Sequence, residues 1–310
     1  MSVLFTFPGQ GAQRPGMLHA LPGDAAVAAT LAQAADVLRH DPLLLDTTAA
    51  LASTRAVQLC LLIAGVAMAR FLAACGAVPD MVAGFSIGEY PAAVVAGALD
   101  FGDAVRLVAQ RGQLMEEAYP SGYGMAAIIG LELAQLEPLV AGVHTAEQPV
   151  YVANLNARRQ IAIAGSDAGL QAVMVLALAH GASKAERLAV SVPSHSPLFD
   201  GAAAQLRADF DQVTVRRPQL AYLSSSAART LFDPERIRDS LASNMARRVH
   251  WADTVRLAWE RGARLAVEMP PGSVLTRLTA PEFGEGVAVC CDGQRAESLL
   301  ALIDKQHGGA

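Results

Sequence analysis

Gly84-Phe85-Ser86-Ile87-Gly88 sets a serine between two glycines at the spacing G-x-S-x-G. Met81, Val82 and Ala83 before it suit a strand, and the Ala- and Val-rich run from Ala92 to Leu99 suits a helix. A strand, a tight turn and a helix would leave the Ser86 hydroxyl exposed at a sheet end, near a helix N-terminus, with the Ile87 amide free to face a developing oxyanion. The spacing also arises by chance in a Gly- and Ala-rich chain, so the context rather than the motif makes Ser86 the candidate nucleophile. Pro91 falls in the first helical turn, where the amide it lacks would have no partner. Glu89 reads as a first-turn residue complementing the helix dipole rather than as a catalytic acid.

A serine needs a general base. Of the seven histidines, His19, His40, His144, His180 and His307 occupy polar or terminal contexts. His195 differs: it follows an apolar run and stands between Pro193 and Pro197, which stiffen its loop. A base and a loop histidine bonded to its neighbouring serines fit that context about equally. Pro8 to Gln13 follows the first apolar run and could present the Gln10 N–H as a second oxyanion donor. A dinucleotide fingerprint is excluded there, because Arg14 occupies the place of the third glycine.

A helix beginning near Asp100 or Asp103 and ending near Ala118 carries two arginines. Arg106 has Gly102, Asp103, Ala109 and Gln110 at helical spacing, whereas Arg111 has Leu107, Val108, Leu114 and Met115. Arg111 therefore faces the apolar side and needs an anion. Its planar fork suits a carboxylate. That carboxylate belongs either to a substrate or to an internal salt bridge, and the second is the commoner fate of such residues.

The elements that must position these groups read as an α/β fold. Apolar runs Val3 to Phe7, Met81 to Phe85 and Leu265 to Met269 alternate with helical stretches, the pattern of a parallel sheet. Between Gly124 and Val190 the pattern changes: strand Met125 to Ile129, helix Leu133 to Val140, strands Val150 to Leu155 and Ile161 to Ala164, helix Ala168 to His180, strand Lys184 to Val190. This βαββαβ order describes a ferredoxin-like insert at 123–191 in a discontinuous core of 1–122 and 192–310. Gly308, Gly309 and Ala310 read as a frayed end.

A chain of 310 residues with 53% hydrophobic and 17% charged residues can bury a large core. With 24 Lys+Arg against 29 Asp+Glu, a net charge of -5 and no basic run, nucleic acid is excluded as a partner. The four cysteines lack zinc spacing and read as reduced thiols of a cytoplasmic protein. Leu59 to Ala69 is too short to span a membrane and reads as a buried core helix.

Taken together, Pro8 to Gln13, Gly84 to Tyr90, Gln110-Arg111-Gly112, Asn154-Leu155-Asn156, Val192 to His195 and Pro270-Pro271-Gly272 resemble the malonyl-CoA:acyl-carrier-protein transacylase family over nearly the whole chain. The resemblance implies an α/β-hydrolase-like core with a ferredoxin-like insert, a coenzyme A thioester as substrate, no tightly bound cofactor and an acyl carrier protein as partner. It implies that Ser86 forms the malonyl ester, that His195 is base and then acid, and that Arg111 binds the malonyl carboxylate. Gln10 and Ile87 amides would form the oxyanion hole, and Asn154 would belong to the substrate-binding set. In the family a backbone carbonyl orients the histidine, which maps to Arg248-Val249-His250-Trp251 and is assigned to His250.

Two departures stand out: Phe85 replaces the usual histidine before the nucleophile, and His250 stands where glutamine is common. With Gly88 to Val95, Ser121 to Met125 and the unusual pair Arg158 and Arg159, they resemble the branch acting as the epsilon subunit of malonate decarboxylase, which loads malonyl onto a carrier subunit with a phosphoribosyl-dephospho-CoA arm. The competing branch is the transacylase of fatty-acid synthesis, acting on a phosphopantetheine carrier. Outside these branches stand a serine esterase or thioesterase and an inactive carrier-docking subunit.

Overall fold

The computed structural model describes residues 1–119 and 121–308. The strands are β1 (Ser2–Phe7), β2 (Met81–Gly84), β3 (Tyr123–Ile129), β4 (Val150–Ala157), β5 (Gln160–Ser166), β6 (Lys184–Arg187), β7 (Ala221–Ser224), β8 (Arg229–Leu231), β9 (Val249–His250), β10 (Ala263–Glu268) and β11 (Val287–Cys290). Between β1 and β2 lie α1 (Ala25–Leu38) and α2 (Thr54–Ala74), followed after β2 by α3 (Glu89–Val95) and α4 (Phe101–Ala118). The second half adds α5 (Leu133–Val143), α6 (Asp167–Ala179), α7 (Asp200–Asp209), α8 (Pro234–Ser243), α9 (Trp251–Glu260), α10 (Val274–Thr279) and α11 (Ala296–Gly308).

Six strands form one sheet in the order β11-β10-β1-β2-β7-β8, parallel throughout except for the antiparallel edge strand β8. Its central strands are buried on both faces, which is why Val3 to Phe7 and Met81 to Gly84 read as continuous apolar runs. In-register pairing of Phe7 with Gly84 and of Gly84 with Ser224 ends β1, β2 and β7 at one level. The three following loops therefore open at the same edge, where open parallel sheets place their ligands.

The second sheet runs β6-β3-β5-β4-β9. Its first four strands are mutually antiparallel and come from 123–187, with α5 and α6 packed on one face through Leu136, Val140, Leu170 and Val173. The last strand, β9, comes from beyond residue 190 and pairs parallel to β4, Asn154 opposite Val249. The strand expected to reach Val190 stops at Arg187; only the Leu188 amide still bonds to Met125.

Helix α2 is longer than the eleven-residue apolar run suggests, because Gln58 and Arg70 lie inside it. By length and hydropathy it could cross a membrane, yet 89% of its apolar window is buried within the protein. It packs along α1 and α4 as a core helix. Helix α4 starts where Asp100 Oδ1 accepts from the amides of Gly102 and Asp103, and that start fixes the phase that turns Arg111 inward. Gly308 closes α11, while Gly309 and Ala310 lie outside the described residues.

Candidate active site

Ser86 sits at φ 57° on the turn between β2 and α3, in the left-handed region that a non-glycine residue occupies at a cost of about 1–3 kcal/mol. The flanking glycines are required for close approach. A Cβ on Gly84 would lie 2.0 Å from the carbonyl carbon of Gly88, and one on Gly88 would lie 2.1 Å from the carbonyl oxygen of Phe7. The turn is thus pressed against the end of β1, from which the Pro8 to Gln13 loop departs. In that loop Ala12 N–H donates to Gly9 O, and Gly11 N–H donates to Gln13 Oε1 at 2.6 Å. The Gln10 and Ile87 amides donate to no protein acceptor among the described residues.

His195, only 3% exposed, is also held at a positive φ, 63°. Its own amide donates to Met245 O at 2.7 Å, and Ser196 Oγ donates to Pro193 O at 2.7 Å, so the loop is fixed from both sides. Nε2 lies 2.8 Å from Ser86 Oγ. Nδ1 lies 2.8 Å from Asn244 O and 3.0 Å from Arg247 O. Two carbonyls can only accept, so Nδ1 carries the proton and Nε2 is left with its lone pair toward the serine hydroxyl. Burial, and secondarily the Arg111 charge, lower the imidazole pKa to about 4, against the opposing pull of the two carbonyls. The ring is neutral at pH 7 and ready to take the Ser86 proton.

Arg111 has no solvent exposure. Its Nη1 donates to Gln58 Oε1 at 2.6 Å, and its Nη2 donates to Asn244 Oδ1 at 3.2 Å and to Ser86 Oγ at 3.3 Å. Its Nε has no partner, and no carboxylate of the described residues lies within ion-pair distance. The internal salt bridge open on sequence grounds is absent. Burial lowers the guanidinium pKa to about 10, so it remains a cation at neutral pH. Arg106, by contrast, lies on the surface against Asp103.

Three expected residues need separate placement. His250 does not orient His195. Its carbonyl accepts from Thr254 Oγ1 at 2.7 Å, its amide donates to Ser225 O, and its ring lies 3.7 Å from Asp253, because β9 draws it toward the second sheet. The orienting carbonyls belong to Asn244 and Arg247, in the turn after α8. Asn154 is buried on β4 beside Val249 with Oδ1 unpartnered, and it makes no hydrogen bond to Ser86, His195 or Arg111. Arg158 pairs with Glu132 and Arg159 with Gly130 O, both at the surface. Phe85 meets Trp251 edge-on at 5.6 Å, inside an apolar cluster that has no use for an imidazole.

Sequence reasoning missed Asn244 and Gln58. Asn244 contributes three contacts at once: O to His195, Oδ1 to Arg111, and Nδ2 donating to Ser86 O at 3.2 Å. Gln58 had a legible signal, a lone amide in the early turns of the long apolar helix α2. The four cysteines form no disulfide: Cys60 and Cys291 are buried, and burial pushes Cys60 up to about 12. No cluster of metal-ligating side chains occurs among the described residues.

A nucleophile bonded to a neutral imidazole, beside a buried cation without an anion, is built for acyl transfer from an acid-bearing substrate. Comparison with known proteins agrees. Residues 4–307 match the acyl transferase domain family. The chain is 38% identical over 282 residues to the malonyl CoA-acyl carrier protein transacylase of Escherichia coli strain K12, covering 89% of this chain and 91% of the relative. It is 34% identical to the Bacillus subtilis strain 168 protein of the same name, over 89% of each. Among solved structures, the malonyl CoA-acyl carrier protein transacylase of Coxiella burnetii superposes with a TM-score of 0.93 at 34% identity, covering 98% of both chains. A malonyl-transacylase solved with a type II polyketide acyl-carrier protein superposes with a TM-score of 0.92 at 34% identity, over 99% of this chain and 100% of the other. By sequence and by fold, this chain belongs to the acyl transferase family, in the group of the malonyl-CoA:acyl-carrier-protein transacylases.

Proposed function

We propose that the protein moves a malonyl group from coenzyme A to the thiol of an acyl carrier protein through a malonyl ester on Ser86. The observation that carries this reading is Arg111: a fully buried cation, 3.3 Å from the nucleophile, with no carboxylate among the described residues to pair it. A malonyl thioester brings a carboxylate to that guanidinium while presenting its carbonyl carbon to Ser86 Oγ. His195 Nε2 takes the serine proton as the C–O bond forms, and the Gln10 and Ile87 amides receive the negative charge on the carbonyl oxygen. Collapse breaks the C–S bond, and the imidazolium returns its proton to the departing coenzyme A thiolate. The carrier thiol then runs the same steps in reverse, giving its proton to His195 and expelling Ser86.

The strand order β6-β3-β5-β4, with two helices on one face, supports a ferredoxin-like unit at 123–191 set into an α/β-hydrolase-like core of 1–122 and 192–310. The backbone carbonyls in place of an acidic third residue favour a transacylase over an esterase or thioesterase of the usual triad type, and the intact Ser86–His195 pair favours catalysis over carrier docking alone. As for the carrier, the relatives are named acyl-carrier-protein transacylases, which favours the fatty-acid-synthesis type of partner over the malonate decarboxylase carrier suggested by Phe85, His250 and Arg158.

The test is intact mass after brief incubation with malonyl-CoA. The expected result is a malonyl-sized adduct that is absent in Ser86→Ala, absent with acetyl-CoA, and discharged by a phosphopantetheine carrier. An adduct that survives Ser86→Ala, or no adduct and no released coenzyme A, would sink the reading.

A further inference from the structure

Glu89, three residues past the nucleophile, has no solvent exposure. Its Oε1 accepts from Ser225 N–H at 2.8 Å, Ser225 Oγ at 2.7 Å, Ser226 N–H at 3.0 Å and, at 3.5 Å, Ser224 Oγ; its Oε2 accepts from Tyr222 OH and Ser240 Oγ, each at 3.2 Å. A first-turn residue complementing its helix dipole would need none of these partners and would face water. The partners lie on two elements, the end of β7 and the middle of α8. The next residue, Tyr90, is equally buried and donates its hydroxyl to Leu241 O on α8 at 3.0 Å.

Helix α8 ends at Ser243, and the turn that follows supplies Asn244 O and Arg247 O to His195 Nδ1, and the Asn244 side chain to both Arg111 and Ser86 O. The two halves of the catalytic pair thus come from segments far apart in sequence, and Glu89 bonds directly to the element that fixes the second half. We infer that Glu89 is a positioning residue whose buried carboxylate ties the nucleophile turn to α8 and so sets the distance at which the Asn244 and Arg247 carbonyls hold His195 against Ser86. The inference rests on the acyl-transfer reading of Ser86. A carboxylate is suited to the task because six donors converge on two oxygens, which a neutral amide or an apolar side chain cannot satisfy together. Burial raises the carboxyl pKa, and the serine and tyrosine donors oppose that rise.

The experiment compares the wild-type chain with Glu89→Gln and Ser240→Ala, the second removing the Glu89 tie to α8, along with the Ser240 bonds to Ser224 and Ser226, while leaving the Glu89 contacts to Tyr222, Ser225 and Ser226. Two rates are measured: malonyl-Ser86 formation from malonyl-CoA, and Ser86 modification by a small alkyl fluorophosphonate, which needs the Ser86–His195 geometry but neither Arg111 nor coenzyme A. Glu89→Gln is expected to slow both reactions about 10-fold and Ser240→Ala about threefold, with KM for malonyl-CoA changed by less than about twofold. Rates within experimental error of wild type in both variants overturn the inference. So does a loss that merely follows a lowered melting temperature and disappears on cooling. Failure of the wild type itself to form the malonyl ester would instead refute the malonyl reading, while the fluorophosphonate rates would still report on Glu89.

Discussion

Replacing Arg111 by Ala removes a guanidinium with no exposure whose three hydrogen bonds go to uncharged groups, Gln58, Asn244 and Ser86. In the malonyl complex the substrate carboxylate would then be buried without a counter-charge, and removing one partner of a buried ion pair costs about 3–5 kcal/mol. Because the pair is wholly desolvated, no screening reduces that figure. If the contact persists in the transition state, kcat/KM for malonyl-CoA falls roughly 10²- to 10⁴-fold. Acetyl-CoA has no carboxylate to lose. In the wild type it leaves the cation unpaired, so Arg111→Ala should leave its rate unchanged or raise it, and the malonyl-to-acetyl ratio should collapse toward unity. The assay is the initial rate of coenzyme A release with each thioester, with Arg111→Lys as control: a point charge restores attraction but not the fork, and should recover part of the preference. A second readout comes from His195, whose pKa the Arg111 charge helps to depress; in Arg111→Ala the acid limb of the rate profile should move to higher pH. Malonyl preference within threefold of wild type in Arg111→Ala would refute the assignment of the carboxylate site.

For the wild type, kcat/KM should decline on the acid side as His195 is protonated near pH 4 and on the alkaline side as Arg111 loses its charge near pH 10, with a plateau between; a midpoint near the ordinary histidine value would show that the imidazole is not held neutral by burial. Gly88→Ala should lower stability by about 3 kcal/mol or more, since its Cβ would meet backbone atoms of Phe7 that cannot move without distorting β1. Gly201→Ala, on α7 with nothing near its Cβ, should be neutral or slightly stabilising. Thermal melts of the two variants decide the point, and equal melting temperatures would contradict the packing described for the nucleophile turn.

The legible features of this chain are those encoded over a few neighbouring residues. G-x-S-x-G between a strand and a helix marks Ser86, because a left-handed turn crowded by backbone needs glycines at fixed offsets. The helical phase around Arg111 reveals an inward charge, because side chains three and four apart share a face. The alternation between 123 and 190 gives the order of strands and helices, because each element writes its own period. What occupies a site from a distance left no such trace. The orienting groups on His195 are carbonyls, which every residue possesses, so nothing in the side chains of Arg248 to Trp251 could distinguish His250 from Asn244. The partner of Arg111 was equally hidden: helix phase shows that a charge points inward but not what it meets, and only packing α4 against α2 and the turn after α8 showed amides there and no carboxylate. Glu89 looked like a helix-dipole residue because its donors all lie more than a hundred residues away. Local chemistry is set by chain connectivity, whereas the pairing of buried charges is set by which elements the core brings into contact, and that is decided only when the whole chain packs.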